Sequence, residues 1–438
     1  MSRFMEHAVA RRTLLAGAAA AGAATVWAGA GKAVAGGWKG PVEQSAVAAE
    51  TARLERALIE LRRDIHRHPE APGQEKRTAA VVARELRAAG LTVTTGVGGH
   101  GVVGVLRGSR PGRTVAYRAD MDAVPPRDIV GTGPAPAHVC GHDVHTAVGI
   151  GVARVLARLR HRLSGTAVFL FQPAEETLSG ARALIDTGVL ERLNIEEIHA
   201  LHCGPFPVGR FAVLPGHGMP GQDKAEVTLS GPDAFEAARR LAADIGALAT
   251  VALPRSPADL ERLVADALIP DGPLARFVAV RATAEKARVS VSYRCWPQER
   301  YVEVREKIRR AARPYAGAGV RFPAEPFPAM VCPDHDARLL ARHLRRTVDR
   351  NTVIELRAAF PPFSGEDFAL YLNRIPGTYT FLGVRAPGAP ITTSYPHYPD
   401  FSPDERAIGV GVRAMAGWIA KRTRPARERP GGIMHRGD

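Results

Sequence analysis

Two segments of the chain have the pattern of buried β-strands that end in polar residues, and they constrain the fold more than any other feature. Residues 165–176, GTAVFLFQPAEE, are almost continuously apolar up to a final acidic pair, and residues 195–203, IEEIHALHC, repeat that design. Apolar runs of this kind are typical of parallel strands that helices cover on both faces. Other short strands alternate with helical segments, so we predict an α/β sheet whose functional residues lie at the strand ends.

Helical periodicity supports this architecture. Leu54, Leu58, Leu61 and Ile65 recur at helical spacing and predict a helix over residues 44–67. A second helix is expected to end at Gly90, since glycine commonly follows the last turn. The full set of predicted helices covers residues 44–67, 75–89, 144–160, 233–247, 299–313, 335–349 and 404–420.

The order of elements changes at about residue 222. From there KAEVTLSG, an Ala-rich amphipathic helix, two strands (RFVAVRA and ARVSVSYRCW) and a closing helix form an α+β pattern. We therefore predict a larger domain made of residues 36–221 and 323–420, interrupted by a smaller α+β domain at 222–322.

The N-terminus has the features of a twin-arginine export signal. Arg11 and Arg12 precede a mildly apolar run, and Ala33, Val34 and Ala35 form an A-x-A processing site. We predict that residues 1–35 direct export to the envelope or medium; the alternative is a buried N-terminal helix. The run is too weakly apolar for stable membrane insertion.

The formal charge of +15 does not indicate a nucleic-acid partner, because the basic residues are scattered and lack interleaved aromatics. The one basic cluster is the Pro- and Gly-rich tail at 421–438, which we expect to be disordered. The four cysteines are few and widely spaced in a chain that is long enough to have its own core, so we predict no disulfide.

Four separate segments carry metal-binding side chains at strand ends or in loops. They supply Cys140 and His142 in HVCGHDVHT (138–146), Glu175 and Glu176 in QPAEE, His202 in ALHC and His397 in YPHYPDF. A thiolate, imidazoles and a carboxylate suit zinc, manganese, cobalt or nickel better than calcium or magnesium. The donors exceed one closed tetrahedral site, so we expect two divalent ions that share a water. One glutamate of the pair can bind metal while the other transfers a proton.

With these motifs the chain resembles the M20 family of metallopeptidases and amidohydrolases, in the branch of hippurate hydrolases, indole-acetyl-amino-acid hydrolases and N-acetyl-diaminopimelate deacetylases. The resemblance is carried by IHRHPE (65–70), YRADMDAVP (117–125), HVCGHDVHT, FQPAEE (171–176), ALHCGP (200–205), SGEDFALYL (364–372) and HYPDF (397–401). It implies a zinc-exopeptidase-like mixed sheet flanked by helices, so that residues 36–221 and 323–420 form the catalytic domain. It also implies that the inserted domain at 222–322 acts as a lid and offers a surface for homodimerisation. It also implies that Glu175 is the general base, that Asp122 orients a ligand, and that the metal ligands are Cys140, His142, Glu176, His202 and His397.

Other polar residues of these motifs are expected to have supporting roles. We predict structural or ligand-orienting roles for His66, His68 and His145, and a loop-fixing role for Glu366 and Asp367.

The chain departs from the resemblance in the inserted domain. Relatives in this branch carry a Gly-Gly-His segment whose histidine helps to hold the substrate carbonyl, whereas residues 229–238 read LSGPDAFEAA. The Asn-x-Ile-Pro segment that usually follows is also unrecognisable. His217, in a Gly- and Pro-rich loop, is a candidate substitute for the missing histidine.

The predicted activity is cleavage of the amide bond of N-acyl amino acids or small peptides. Two alternatives stay open at this point. One is a metal-binding but catalytically weak or silent homologue that binds amino-acid conjugates, and the other is an aminopeptidase or dipeptidase.

Overall fold

The computed structural model describes residues 40–126, 133–315 and 317–425. The predicted export signal and most of the basic tail lie outside the described residues. The helices are α1 Gln44–His66, α2 Lys76–Ala88, α3 His142–Arg158, α4 Gly180–Asp186, α5 Val189–Arg192, α6 Ala234–Gly246, α7 Pro257–Asp266, α8 Tyr301–Ala312, α9 Asp334–Thr347, α10 Ala369–Leu372 and α11 Arg406–Arg422. The strands are β1 Thr92–Val97, β2 Gly101–Arg107, β3 Arg110–Asp120, β4 Ser164–Gln172, β5 Glu197–Pro207, β6 Phe211–Val213, β7 Gly218–Met219, β8 Asp223–Thr228, β9 Phe277–Glu285, β10 Arg288–Trp296, β11 Gly319–Arg321, β12 Met330–Val331, β13 Val353–Glu355 and β14 Gly377–Arg385.

The largest sheet is mixed and has eight strands in the order β1-β2-β4-β3-β5-β14-β6-β13. Strand β3 pairs in parallel with β4 and β5, and β5 pairs in parallel with β14, whereas β1, β2 and β4 pair antiparallel. The parallel strands therefore end at one edge of the sheet. The predicted mixed α/β sheet flanked by helices is confirmed.

Three helices, α1, α3 and α11, contact one another against one face of this sheet. Leu54, Leu58 and Ile65 of α1 are buried, as their spacing predicts. Gly151 of α3 permits the close approach of α3 to α1 and α11. A Cβ at this position would lie 2.8 Å from Leu58 Cδ1 in α1 and 2.5 Å from Val412 Cγ2 in α11. Within the part of the chain that the structure describes, none of the helices is long and apolar enough to span a membrane.

A second sheet has four antiparallel strands in the order β11-β8-β10-β9. Helices α6 and α8 supply apolar side chains to its core, including Leu241, Ile245, Val304 and Ile308. The sequence predicts strands β8, β9 and β10 and helices α6 and α8 for residues 222–322, but not the short strand β11. Whether they form an independent lid domain stays a prediction.

Three local features differ from the sequence-based expectations. Helix α3 begins at His142, so half of the HVCGHDVHT segment is helical. Helix α7 was not predicted, because Pro and Gly on either side of it interrupt the periodicity. Helix α11 continues to Arg422, past the predicted helix end at residue 420, and the guanidinium of Arg422 lies 2.7 and 2.8 Å from the two carboxylate oxygens of Glu197.

Candidate metal centre and active site

The predicted metal-binding side chains converge at the C-terminal edge of the parallel strands. One ligand atom each from Cys140, His142 and Glu176 lies within 4.8 Å of the others. His397 Nε2 is 3.5 Å from Glu176 Oε1, and the His202 ring lies 5.7 Å from the His142 ring, centroid to centroid. All five predicted ligands thus come together, although the chain supplies them from segments far apart in sequence. Their role as ligands stays a prediction.

Asp122 holds His142 in a fixed orientation. His142 Nδ1 lies 3.0 Å from the Asp122 carbonyl oxygen and 3.2 Å from Oδ1, while Oδ2 accepts a hydrogen bond of 2.9 Å from the Glu176 amide. Burial opposes ionisation of Asp122, but the hydrogen bond and charge of His142 outweigh it and lower the pKa of Asp122. In the metal-bound form Nδ1 would donate to Asp122, which leaves the electron pair of Nε2 for a metal ion.

That Nε2 atom of His142 is buried and has no hydrogen-bond partner among the described residues. It lies 3.9 Å from Glu175 Oε2 and 3.8 Å from Glu176 Oε1. A buried imidazole nitrogen is normally satisfied, so this orphaned atom beside two carboxylates fits a metal ion. The donor set and its geometry therefore suit the divalent ions that the sequence predicts.

His202 and His145 lie side by side but differ in what their nitrogens can do. Burial, followed by the charge of His142, lowers the pKa of His202 to about 3, so its imidazole is neutral. His202 Nδ1 donates to the Cys203 carbonyl at 2.8 Å, which leaves Nε2 as a ligand atom. Both nitrogens of His145 are engaged: Nε2 accepts from the Cys203 amide at 2.9 Å, and Nδ1 lies 3.3 Å from Asp120 Oδ2. These contacts fit the supporting role predicted for His145, even though one of its ring nitrogens lies within 4.8 Å of ligand atoms of His142 and His202.

The position of Cys140 depends on the residue that follows it. Gly141 adopts a left-handed φ of 92° directly before α3, and a Cβ there would lie 2.7 Å from Cys203 Sγ. The glycine thus lets the chain turn from Cys140 into the helix against β5. Burial raises the pKa of Cys140 to about 12, so a cation is required to stabilise its thiolate at neutral pH. All four cysteines of the chain are buried free thiols.

Glu175 lies beside this donor set in an acidic surrounding. It is 6% exposed, and its carboxylate forms a compact group with those of Glu366 and Asp367. Burial, and after it the negative charges of Glu366 and Asp367, raise the pKa of Glu175 well above its usual range. A carboxyl group with a raised pKa binds a proton more tightly than a free glutamate does, which suits a group that accepts a proton.

Arg118 forms ion pairs with Glu366 and Asp367, the acidic neighbours of Glu175, and it was not identified from the sequence. This arginine is 1% exposed and lies 2.6 Å from Asp120, 2.9 Å from Glu366 and 2.8 Å from Asp367. Glu366 also accepts from the Phe368 amide and Asp367 from the Ala181 amide, so both acids fix their loop as expected. The available signal was an arginine inside the otherwise apolar strand TVAYRAD.

A second arginine that the sequence analysis missed comes from the smaller sheet. Arg294, in β10, has a buried Nη1 without a hydrogen-bond partner among the described residues. A Cβ at Gly365 would collide with this nitrogen, so the guanidinium lies directly against the loop that carries Glu366. Burial lowers the pKa of Arg294 to about 10, opposed by the charge of Glu175. At that value the side chain is still a cation at neutral pH.

The remaining histidines singled out by sequence lie in structural contacts. His66 Nδ1 bonds to Asp143 at 2.8 Å, and His68 Nδ1 bonds to the Asp64 carbonyl at 2.8 Å. His217 bonds through Nδ1 to the Pro215 carbonyl and stacks on Trp296 with 6.5 Å between ring centroids. These contacts do not support the idea that His217 replaces the missing lid histidine.

The fold and the site define a protein with a mixed α/β sheet flanked by helices and a candidate dinuclear metal centre at the strand ends. The family model for peptidase family M20/M25/M40 matches residues 116–421. The chain belongs to this family and is a hydrolase of amide bonds.

Curated relatives match along most of the chain. N-acetylcysteine deacetylase from Bacillus subtilis (strain 168) is 30% identical over 372 residues, which are 82% of this chain and 95% of the relative. An N-acetyldiaminopimelate deacetylase from Lacticaseibacillus paracasei is 28% identical over 387 residues, 83% of this chain and 97% of the relative. Among solved structures, the YXEP protein of Bacillus subtilis, described as a dinuclear metal binding peptidase of the M20 family, superposes with a TM-score of 0.64. That match is 27% identical and covers 85% of this chain and 99% of the other.

Proposed function

We propose that the chain is an exported, dinuclear metal-dependent amidohydrolase that cleaves the amide bond of N-acyl amino acids or small peptides. The observation that carries this proposal is the position of Glu175, 3.9 Å from the orphaned Nε2 of His142 and adjacent to Glu176. The relatives named as deacetylases support the reaction type, and the dinuclear solved relative supports two ions. Zinc, manganese, cobalt and nickel all suit the donors.

In this proposal Cys140, His142, Glu176, His202 and His397 hold the ions, and Asp122 fixes the His142 ring. When bound, two divalent ions supply activation of a water and polarisation of the scissile carbonyl. Glu175 takes the proton of the attacking water and passes it to the nitrogen of the leaving amine.

Arg294 supports a substrate with a free carboxylate. A buried guanidinium whose Nη1 lacks a partner is costly unless a ligand supplies an anion. An N-acyl amino acid brings a carboxylate a few bonds away from the scissile amide, so Arg294 can pair with it while Glu175 acts at the amide. The smaller sheet, which carries Arg294, would act as the lid of residues 222–322, and homodimerisation through this lid is part of the same proposal.

The catalytically silent homologue is a second candidate, favoured by the absence of histidine from residues 229–238. Loss of one oxyanion donor typically reduces the rate about 10²- to 10³-fold. Arg294 argues for a substrate site that is retained in spite of that loss.

The twin-arginine export signal is supported by Arg11, Arg12 and the Ala33-x-Ala35 site.

The decisive experiment measures hydrolysis of N-acyl amino acids, dipeptides and carboxamide-capped N-acyl amino acids, with metal content determined on the same sample. We expect Glu175→Gln to lower kcat about 10²- to 10⁴-fold at unchanged metal content. Full metal occupancy without turnover on any substrate would favour the silent homologue. Preference for free over acylated amines would favour the aminopeptidase.

A matched pair of substrates tests the role of Arg294. Arg294→Met should raise KM about 10- to 100-fold for carboxylate substrates, because a hydrogen bond between charged groups is lost. The same variant should leave KM for the carboxamide-capped substrates nearly unchanged. Equal losses on both classes would mean that Arg294 only stabilises the fold.

A further inference from the structure

Helix α7 is anchored at its start by its own sequence. Ser256 Oγ accepts a hydrogen bond from the Asp259 amide at 3.2 Å and donates one to Asp259 Oδ2 at 2.9 Å. Pro257 occupies the first helical position, where its fixed φ favours helix initiation. The start of α7 is therefore determined by its local sequence, whereas the role of the helix depends on the residues against which it packs.

Those partners belong to the main sheet, although α7 lies in the predicted inserted domain. Leu260 and Leu263 are 0% and 6% exposed, and with Ala267 they belong to the core on the main sheet, which also includes Phe277 and Trp296 from β9 and β10. They do not belong to the core between the four-stranded sheet and helices α6 and α8. The Ala267 carbonyl accepts a hydrogen bond of 2.8 Å from the Arg357 amide. Glu261 and Arg385 form an ion pair at 2.7 Å at the margin of this contact.

The segment that α7 contacts is the turn Ile391–Thr393, which opens the loop carrying His397. Ile391 and Tyr395 are buried in the same core as Leu260. The loop is closed by hydrogen bonds from the Tyr395 amide to Ile391 and from the His397 amide to the Val139 carbonyl, at 2.9 and 2.7 Å.

His397 itself has a left-handed φ of 71°. A non-glycine residue in this region of φ costs of order 1 to 3 kcal/mol and persists only where its surroundings enforce it. The contact with α7 is one such constraint, because it fixes the turn five residues earlier.

We propose that α7 is a positioning element that fastens the four-stranded sheet to the His397 loop and thereby holds His397 in place. The connection to the smaller sheet runs through Thr250, whose amide donates to the Val278 carbonyl at 2.8 Å and whose Oγ1 accepts from the Val278 amide at 2.9 Å. Movement of the smaller sheet away from the main sheet then displaces His397. The part of this inference that concerns metal rests on the proposed function.

Hydrogen exchange in the full, metal-free chain tests the positioning role without any assumption about the metal. We expect Leu260→Ala and Leu263→Ala to accelerate exchange of the amides in residues 391–402 at least about tenfold. Leu241→Ala is the matched control, since Leu241 is equally buried but lies in the core of the four-stranded sheet. Equal exchange in residues 391–402 for the α7 variants and the control would overturn the proposal.

Metal binding provides a second readout. In chains titrated with Mn²⁺ or Zn²⁺, Leu260→Ala should weaken binding of one of two ions about tenfold or more, whereas Leu241→Ala should retain both affinities. A wild-type chain that binds no ion would end the proposed function, and the exchange result would still decide the role of α7. If the leucine variants do not fold, Glu261→Gln removes the Arg385 ion pair without opening the core and should produce the same changes to a smaller extent; no change in that variant would contradict the proposal.

Discussion

Asp122 contacts His142 through two oxygens, with His142 Nδ1 3.0 Å from the backbone carbonyl and 3.2 Å from the carboxylate. Asp122 follows β3, and His142 is the first residue of α3, so the contact joins a strand end to a helix start. The same carboxylate accepts the Glu176 amide at 2.9 Å. One buried acid thereby sets the orientation of two predicted metal ligands.

Asp122→Asn should therefore weaken metal binding about 10- to 100-fold, the usual effect of removing a group that orients a ligand. The amide removes the charge that favours the Nδ1–H form of His142, although it keeps the size of the side chain. Competition with a chelator measures the affinity. Asp186→Asn, at a residue whose side chain is 62% exposed, is the control and should bind metal like the wild type; equal affinities for the two variants would contradict the orienting role.

Gly141→Ala should disturb the site through the backbone. Alanine is strained at a φ of 92°, and its Cβ would meet Cys203 Sγ at 2.7 Å, so Cys140 and His142 must shift. We expect a loss of about 1 to 3 kcal/mol in the free energy of unfolding, together with weaker metal binding.

Gly246→Ala is the matched control for this substitution. Gly246 is the last residue of α6, and a Cβ there meets nothing within 4 Å. Alanine should stabilise this helix by about 0.5 to 1 kcal/mol or leave it unchanged. Urea unfolding of both variants makes the comparison, and similar stabilities would refute the role given to Gly141.

The features predicted correctly from sequence are those with a local signal. The main strands follow from apolar runs, and the convergence of the predicted ligands follows from their positions at the ends of those runs, where parallel strands meet. Arg118 could not be assigned in this way, because its partners Glu366 and Asp367 lie about 250 residues away in the chain. Arg294 was missed for the same reason, because what it does depends on which distant surface it contacts. Helix α7 was missed because Pro and Gly on either side of it interrupt the helical periodicity.

Arg118→Met should destabilise the fold by about 3 to 5 kcal/mol, because Asp120, Glu366 and Asp367 would lose their buried cation. Chemical denaturation measures this loss. Arg56→Met is the control: the side chain of Arg56 is 94% exposed and pairs only with Glu60 across one helical turn. We expect no measurable change there. A comparably small effect at Arg118 would mean that the three acids are protonated in the folded chain.

Protonation of Glu197 should lower the free energy of unfolding at acid pH. Burial opposes its ionisation, but His199 and then Arg422 lower the pKa of Glu197 to about 2. The unfolded value is about 4.3, so the folded state favours the ionised form. This stabilisation, roughly 3 kcal/mol, is complete above about pH 5 and disappears as the pH falls towards 2.

The change that tests this linkage is Glu197→Gln, which removes the charged carboxylate that Arg113 and Arg422 share. The difference in unfolding free energy between the wild type and the variant should be largest near neutral pH and should shrink steadily below pH 5. Urea denaturation at several pH values measures it. A difference that stays constant from pH 7 to pH 3 would show that Glu197 stabilises the end of α11 by packing and hydrogen bonding alone, without an ionised carboxylate.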